Sequence, residues 1–325
     1  MPLKTRLTER LAIVHPIVSA PMGLVAGGAL AAAVSTAGGL GLIGGGYGEA
    51  EWLRQEFAAA GNQRIGCGFI TWSLAKQPQL LDLALSHSPA ATMLSFGDPR
   101  PFAPSIKAAG STLICQAQSI AHVRDAMEAG ADIIVAQGSE AGGHGAKRAT
   151  LSFVPEVADL LSRESPETLL LAAGGIADGR GLAAALMLGA DGVLMGTRFW
   201  ASRETLIHPN LQAAAVAASG DDTIRTTVID VVRGYDWPKP FDIRVMRNRF
   251  TERWHGREAE LAAHIGTEAP RYFEAAKAGD PAGTAVMVGE AAGLITDIPS
   301  AGEIVERVVA EAQRLLAEVT PSFVV

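Results

Sequence analysis

Ten consecutive residues, Ala136-Gln137-Gly138-Ser139-Glu140-Ala141-Gly142-Gly143-His144-Gly145, combine small residues, two side-chain acceptors and one imidazole. His144 is the only group among them whose ordinary pKa lies near neutrality, so it can exchange a proton at working pH. The glycines let backbone approach something flat or charged, because no Cβ holds it away. The preceding Asp132-Ile133-Ile134-Val135 reads as a buried strand, which places the stretch in the loop at that strand's end. On its own, a glycine-rich loop with a surface histidine fits these residues equally well.

Two further strings carry candidate chemistry. Ala173-Gly174-Gly175-Ile176-Ala177-Asp178-Gly179 and Met195-Gly196-Thr197-Arg198 each follow an aliphatic run. Glycines at such ends offer backbone N–H groups to a phosphate, and the Thr197 hydroxyl adds a donor. Gly174 and Gly175 would also serve simple tight turns. The paired occurrence favours the phosphate, which would belong to a cofactor. Ala20-Pro21-Met22-Gly23 is a third strand end, with exposed backbone before Gly27-Gly28. Alone it could be an ordinary turn.

The elements that must position these strings follow a rhythm. Aliphatic runs at 17–20, 41–44, 64–70, 91–96, 112–117, 132–137, 168–173 and 192–198 read as eight strands. Runs without polar alternation suit parallel strands buried on both faces. Helical patterns at 28–36, 49–60, 74–86, 120–129, 155–163 and 179–188 lie between them. Glycines such as Gly38, Gly110, Gly130 and Gly189 fall where a helix ends and the chain turns back. Gly130-Ala131-Asp132 and Gly189-Ala190-Asp191 make a weak internal repeat of one βα unit. Eight such units predict a (β/α)8 TIM barrel rather than a doubly wound sheet, with the chemistry at the strands' C-terminal ends. From 211 to 283 aliphatic runs give way to charged helical patterns and the loop Gly234-Tyr235-Asp236-Trp237-Pro238. The expected division is a barrel from 1–210 plus 284–325 and a smaller helical insertion, 211–283, acting as a substrate lid. Helical spacing over 303–317 predicts an outer helix closing the barrel. Tyr235, Trp237 and Trp254 can line the substrate pocket, although core or interface is the favoured reading for each, and Ser95-Phe96-Gly97-Asp98 reads as a border of the pocket.

Composition excludes other classes. A chain of 325 residues with 19% charged residues can bury a large core, and its net charge of -7 without a basic cluster argues against nucleic acid. Cys67 and Cys115 sit in apolar runs, without disulfide or zinc spacing. Charges at Lys4, Arg6, Glu9 and Arg10 disfavour a secretory leader, and no apolar run reaches membrane-spanning length. A reduced, cytoplasmic setting is expected; a homodimer stays open. Gly39-Leu40-Gly41-Leu42-Ile43-Gly44 matches a dinucleotide fingerprint by letter. It lacks the helix on its last glycine and the later acid, so it is rejected. The seven histidines are scattered, and no metal site is expected.

Taken together, the strings resemble the nitronate monooxygenase family, formerly the 2-nitropropane dioxygenases. The resemblance rests on His15-Pro16-Ile17 into Ala20–Gly23, on Gln137-Gly138-Ser139-Glu140-Ala141-Gly142-Gly143-His144, on 173–181, and on 188–199. It implies an FMN-binding barrel in which Pro21, Met22 and Gly23 pass along the flavin. Gln137 and Gly142 would touch it, and Gly174, Gly175, Gly196 and Thr197 would hold its phosphate. His144 would act as base or anion-orienting group. Gln116 stands where some relatives carry lysine, which removes a positive charge and leaves flavin tuning open. The implied reaction is oxidation of alkyl nitronates, or nitroalkanes, by O2 to carbonyl compounds and nitrite. The Glu140–His144 string is shared with FMN-dependent enoyl-acyl-carrier-protein reductases, and some relatives are NADH:quinone reductases. An NAD(P)H reductase is therefore the rival, and a flavin-binding protein without turnover the third reading.

Overall fold

Each of the eight apolar runs becomes a parallel strand in the computed structural model, which describes residues 3–319. The strands are β1 Ile17–Ser19, β2 Leu42–Gly44, β3 Gly66–Ile70, β4 Ala91–Ser95, β5 Thr112–Ala117, β6 Ile133–Gln137, β8 Leu169–Ala173 and β9 Gly192–Met195. A short strand of a second sheet, β7 Gly143–Gly145, intervenes. The order β1-β9-β8-β6-β5-β4-β3-β2 runs round the barrel, and the isolated bridge Val18↔Leu40 brings its two ends together. Val18, Leu42, Met93, Ile114, Val135, Leu171 and Leu194 belong to one buried cluster with Leu7 and Leu11 of the helix Arg6–Leu11. That helix lies at the end where strands begin, its Arg6 paired with Asp191 and its Arg10 with Asp132.

The internal repeat has a structural reason. Gly130 and Gly189 adopt left-handed φ of +67° and +92°. The Asp132 carboxylate then accepts the Leu113 N–H at 2.8 Å, and Asp191 that of Leu170 at 2.9 Å. Each aspartate thus fastens its own strand to the preceding one. Gly41 of the rejected fingerprint is a packing glycine, since a Cβ there would lie 2.0 Å from the Ala31 carbonyl oxygen.

Several helices differ in extent from the pattern. The expected 74–86 helix divides into Thr71–Leu74 and Gln79–Ser86 around Pro78, which disfavours a helical residue before it. The helix expected from 155 begins earlier, running Thr150–Glu164 with Pro155 inside. Ala103–Ala108 is too short to leave a periodic signal. The last α-helix is Ala301–Arg314, capped by Ser300 and Glu303 and packed on Gly179–Met187, and a π-helical turn, Leu315–Val319, continues it.

The insertion is mainly helical, with Val228–Arg233, Arg249–Trp254, Glu258–Ala263 and Ile265–Ala278 around a core of Ile229, Val245, Trp254 and Tyr272. It also holds two strands that the helical pattern did not foretell, β10 Thr223–Thr226 and β11 Asp242–Met246. Their polar and apolar residues alternate, unlike the continuous runs of the barrel. They form an antiparallel sheet in the order β10-β11-β7, which ties the insertion to the loop after β6. Residues 320–325 of the expected barrel segment lie outside the described residues. Cys67 and Cys115 are buried and free, and burial pushes the Cys115 thiol up to about 12. No helix among the described residues is long and apolar enough to cross a membrane.

At the C-terminal end of β2 the chain passes tightly beneath Pro21–Gly23. A Cβ on Gly44 would sit 2.4 Å from the Met22 carbonyl carbon and 2.7 Å from the Gly23 nitrogen. Both obstacles are backbone, so the strain has no flexible outlet. Gly44→Ala is expected to destabilise the fold by about 1–3 kcal/mol in denaturant titration. An unchanged midpoint would mean that the loop is free to move.

Candidate active site

A cavity of about 1220 Å³, measured out to its mouth, opens at the C-terminal ends of the barrel strands. Every residue singled out for cofactor or substrate lines it: Pro21, Met22, Gly23, Gln116, Gln137, Gly142, His144, Gly174, Gly175, Gly196 and Thr197. Ser95 and Phe96 do so too, whereas Gly97 and Asp98 face a neighbouring groove.

One end of the cavity is built from backbone. Gly174 and Gly175 have φ of +101° and +73°, left-handed values that turn the chain sharply after β8. Among the described residues, the N–H groups of Gly174, Gly175, Gly196 and Thr197 have no hydrogen-bond partner. The Thr197 hydroxyl accepts the Gly289 N–H at 3.0 Å, which leaves its own proton to donate. These groups form a cradle of donors without a cation, the form that a phosphate takes up at strand and helix ends.

Beside it lies a glutamine network. Gln137 Oε1 accepts from Gln116 Nε2 at 2.7 Å and Gln118 Nε2 at 2.9 Å, while Gln137 Nε2 donates to the His144 carbonyl at 3.1 Å. Gln137 is thereby held by three bonds, and Gln116 keeps one N–H for a ligand. The loop itself is clamped from the insertion. Arg225 and Arg244 both donate to the Ser139 carbonyl, at 3.2 Å and 3.0–3.1 Å. Gly142 is needed for contact with the chain beyond the insertion, since a Cβ there would lie 2.5 Å from the Gly289 nitrogen.

The other end is aromatic. His144 stacks on Trp237 with centroids 3.4 Å apart and planes 9° from parallel, and Phe96 meets it edge-on. His144 Nε2 lies 2.9 Å from Asp230 Oδ1, with side-chain exposures of 8% and 4%. Burial holds the His144 pKa below its ordinary value; Asp230 opposes that shift, and Arg233 and Arg225 reinforce it. The ring is therefore neutral at pH 7. Tyr47 stacks on Tyr235 at 3.7 Å and accepts the Trp237 indole N–H at 3.0 Å. The Arg233 guanidinium lies over both tyrosine rings, 5.6 and 4.8 Å from their centroids, with no ion pair among the described residues. Among the described residues it is the only permanently charged one lining the cavity.

Of the three aromatics of this region, Trp237 takes the less favoured place and lines the cavity, while Trp254 is core, its indole N–H donated to Glu268. Asp230, Arg233 and Tyr47 carried no motif. Asp230 left one usable sign, a lone acid within the apolar string Val228-Ile229-Asp230-Val231-Val232.

The family model described as nitronate monooxygenase matches residues 4–63 and 70–311. The nitronate monooxygenase npaC of Metarhizium robertsii is 36% identical, over 93% of this chain and 92% of the relative. The chain belongs to the nitronate monooxygenase family. It is accordingly an oxidoreductase of that family. Among solved structures, FabK of Thermotoga maritima is similar with a TM-score of 0.86 at 31% identity, covering 98% of this chain and 99% of that one. The nitroalkane oxidase of Streptomyces ansochromogenes follows with 0.78 at 27% identity, covering 96% and 99%.

Because Trp237 covers one face of His144, its removal should readmit water and relieve the burial that depresses the imidazole pKa. In Trp237→Ala the His144 pKa is expected to rise toward the ordinary value near 6.5, read by NMR titration of labelled histidine. A fall, or no change, would mean that the depression comes from elsewhere.

Proposed function

We propose that this cavity binds FMN and that the chain oxidises alkyl nitronates, and nitroalkanes through their nitronates, with O2 to carbonyl compounds and nitrite. The observation that carries this reading is one cavity with unpaired amide donors at one end and a neutral imidazole beside a lone guanidinium at the other. The donor cradle suits a phosphate, and the uncharged, partly glycine-walled space between suits a flat ring. Gly174, Gly175, Gly196 and Thr197 would hold the phosphate; Pro21, Met22, Gly23, Gln116, Gln137 and Gly142 would border the ring. When bound, the flavin supplies the electron transfer to oxygen that side chains cannot perform.

The chain's own residues do the rest. Arg233, unopposed among the lining residues, draws an anionic nitronate into the cavity. Neutral His144 can take the α-proton of a nitroalkane, as a base poised below neutrality should. Phe96, Trp237 and Tyr47 keep water from the reacting carbon. On this reading 211–283 is the substrate lid, supported by its supplying Arg233 and Trp237 to the cavity. A reductase using NAD(P)H is the second reading, favoured by the 0.86 TM-score with FabK.

His144→Asn is expected to retain FMN and lose about 10²–10⁴-fold in kcat/KM on nitroalkanes. Full activity in that variant would remove His144 from the reaction. Thr197→Val should weaken FMN binding by about 10–10²-fold, the worth of one hydrogen bond to a charged group, as read by fluorescence titration. Anaerobic mixing separates the two readings: bleaching by a nitronate alone supports the oxidation, and rapid bleaching by NADH alone replaces it with the reductase.

A further inference from the structure

The helix Val228–Arg233 buries Val228, Ile229 and Val232, and among them Asp230, which is 3% exposed. A carboxylate in such a place is costly unless its oxygens are bonded. Here one oxygen is bonded and the other is not: Oδ1 meets His144 Nε2 at 2.9 Å, while Oδ2 is buried without a partner. No hydrogen bond to backbone or to any other side chain accounts for its presence among the described residues. Its one bond is to the imidazole that lines the cavity.

That bond restricts the ring chemically. A carboxylate only accepts, so Nε2 must carry the proton, and the lone pair of the neutral ring then lies on Nδ1. No protein group is bonded to Nδ1 among the described residues. The ring cannot easily flip to exchange its nitrogens, because Trp237 stacks on it and its backbone is paired with Ile243 of β11.

We propose that Asp230 is a positioning residue that fixes His144 with its proton on Nε2, so that Nδ1 faces the substrate and starts the reaction from neutral nitroalkanes. The inference rests on the oxidation reading above and deepens it. The α-carbon–hydrogen bond breaks, the proton passes to Nδ1, and the bonding pair becomes the C=N bond of the nitronate, with negative charge on the nitro oxygens. The resulting imidazolium donates through Nε2 to Asp230 Oδ1. The charged groups around the ring oppose one another: Asp230 favours the cation, Arg233 on the same helix and Arg225 on β10 disfavour it, and burial outweighs them. Tyr47, on the far side of Trp237, is kept a neutral phenol by its own burial. The ring thus begins neutral and is charged only while it holds the substrate's proton beside a fixed counter-charge.

The test uses holoenzyme labelled with ¹⁵N-histidine, with His144→Asn to assign the signal among the seven histidines. The unaltered enzyme should show His144 protonated at Nε2 and bare at Nδ1. Asp230→Asn keeps an acceptor but removes the charge and adds an amide donor, so the His144 pKa should fall and the tautomer should shift toward a proton on Nδ1. Asp230→Ala removes both, and the tautomer should become mixed. In Asp230→Ala, kcat/KM on a neutral nitroalkane should drop by about 10²-fold or more, while turnover of the preformed nitronate changes little. A purely structural role would lower both substrates by the same factor and leave the tautomer as it was; that result overturns the proposal. So does a His144 proton on Nδ1 in the unaltered enzyme. If Asp230→Ala fails to fold, Asp230→Asn decides: a lowered pKa with selective loss on the nitroalkane supports the proposal, and absence of either overturns it. Failure of the unaltered enzyme on every nitronate would instead remove the oxidation reading, and the tautomer would still decide whether Asp230 orients His144.

Discussion

Gly143–Gly145 pairs antiparallel with Asp242–Met246, with Ile243 directly opposite His144. The remainder of the site depends on this short ladder. It anchors a loop of the barrel to the sheet of a separate cluster, and a backbone ladder fixes position more tightly than side-chain contacts alone. From that anchor the helix Val228–Arg233 brings Asp230 and Arg233 to the imidazole, and the following turn lays Trp237 across it. Arg225 and Arg244 reinforce the same junction by gripping the Ser139 carbonyl. The histidine belongs to the barrel by sequence, but its surroundings are supplied by the insertion.

The two halves of the cavity use different physics. Toward β8 and β9 the free donors are peptide N–H groups, which offer partners to an anion without importing a mobile counter-charge. Toward the insertion a single guanidinium stands over two tyrosine faces, which stabilise the cation without neutralising it. The other arginines near the loop are paired with Asp242 and Glu290, so their fields are largely cancelled. A weakly polar cavity with one uncompensated charge makes that charge count, because little screens it there.

The barrel was legible because parallel strands buried on both faces must be continuously apolar, and Ile133–Gln137 or Leu169–Ala173 can hardly be anything else. The glycine strings at the ends of β6, β8 and β9 were legible for a related reason: close approach of backbone leaves glycine no substitute. The sheet of the insertion was not. Thr223–Thr226 and Asp242–Met246 are four and five residues long and alternate in polarity, which a charged helical neighbourhood conceals. Trp237 lies almost a hundred residues from His144, and nothing in local sequence distinguishes an aromatic that stacks on a cavity-lining histidine from one that fills a core. Asp230 alone left a mark, as an acid where the helix pattern asks for an apolar residue.

The distribution of unfavourable local features follows the same division of labour. At the end where strands begin, Asp132 and Asp191 are each bonded to backbone and paired with arginine, so that end is locally satisfied. At the opposite end Phe96 adopts φ of +65° and Leu24 of +60°, conformations that cost a bulky residue about 1–3 kcal/mol each. Gln118 Oε1, Trp200 Nε1 and Asp230 Oδ2 are buried there without partners. Such costs persist only where the surrounding fold holds them in place. The left-handed turn at Phe96 aims its ring at both His144 and Trp237. Asp230 leaves one oxygen bare while the other is bonded to that imidazole. The strained turn at Phe96 and the bare oxygen of Asp230 thus meet at the same imidazole.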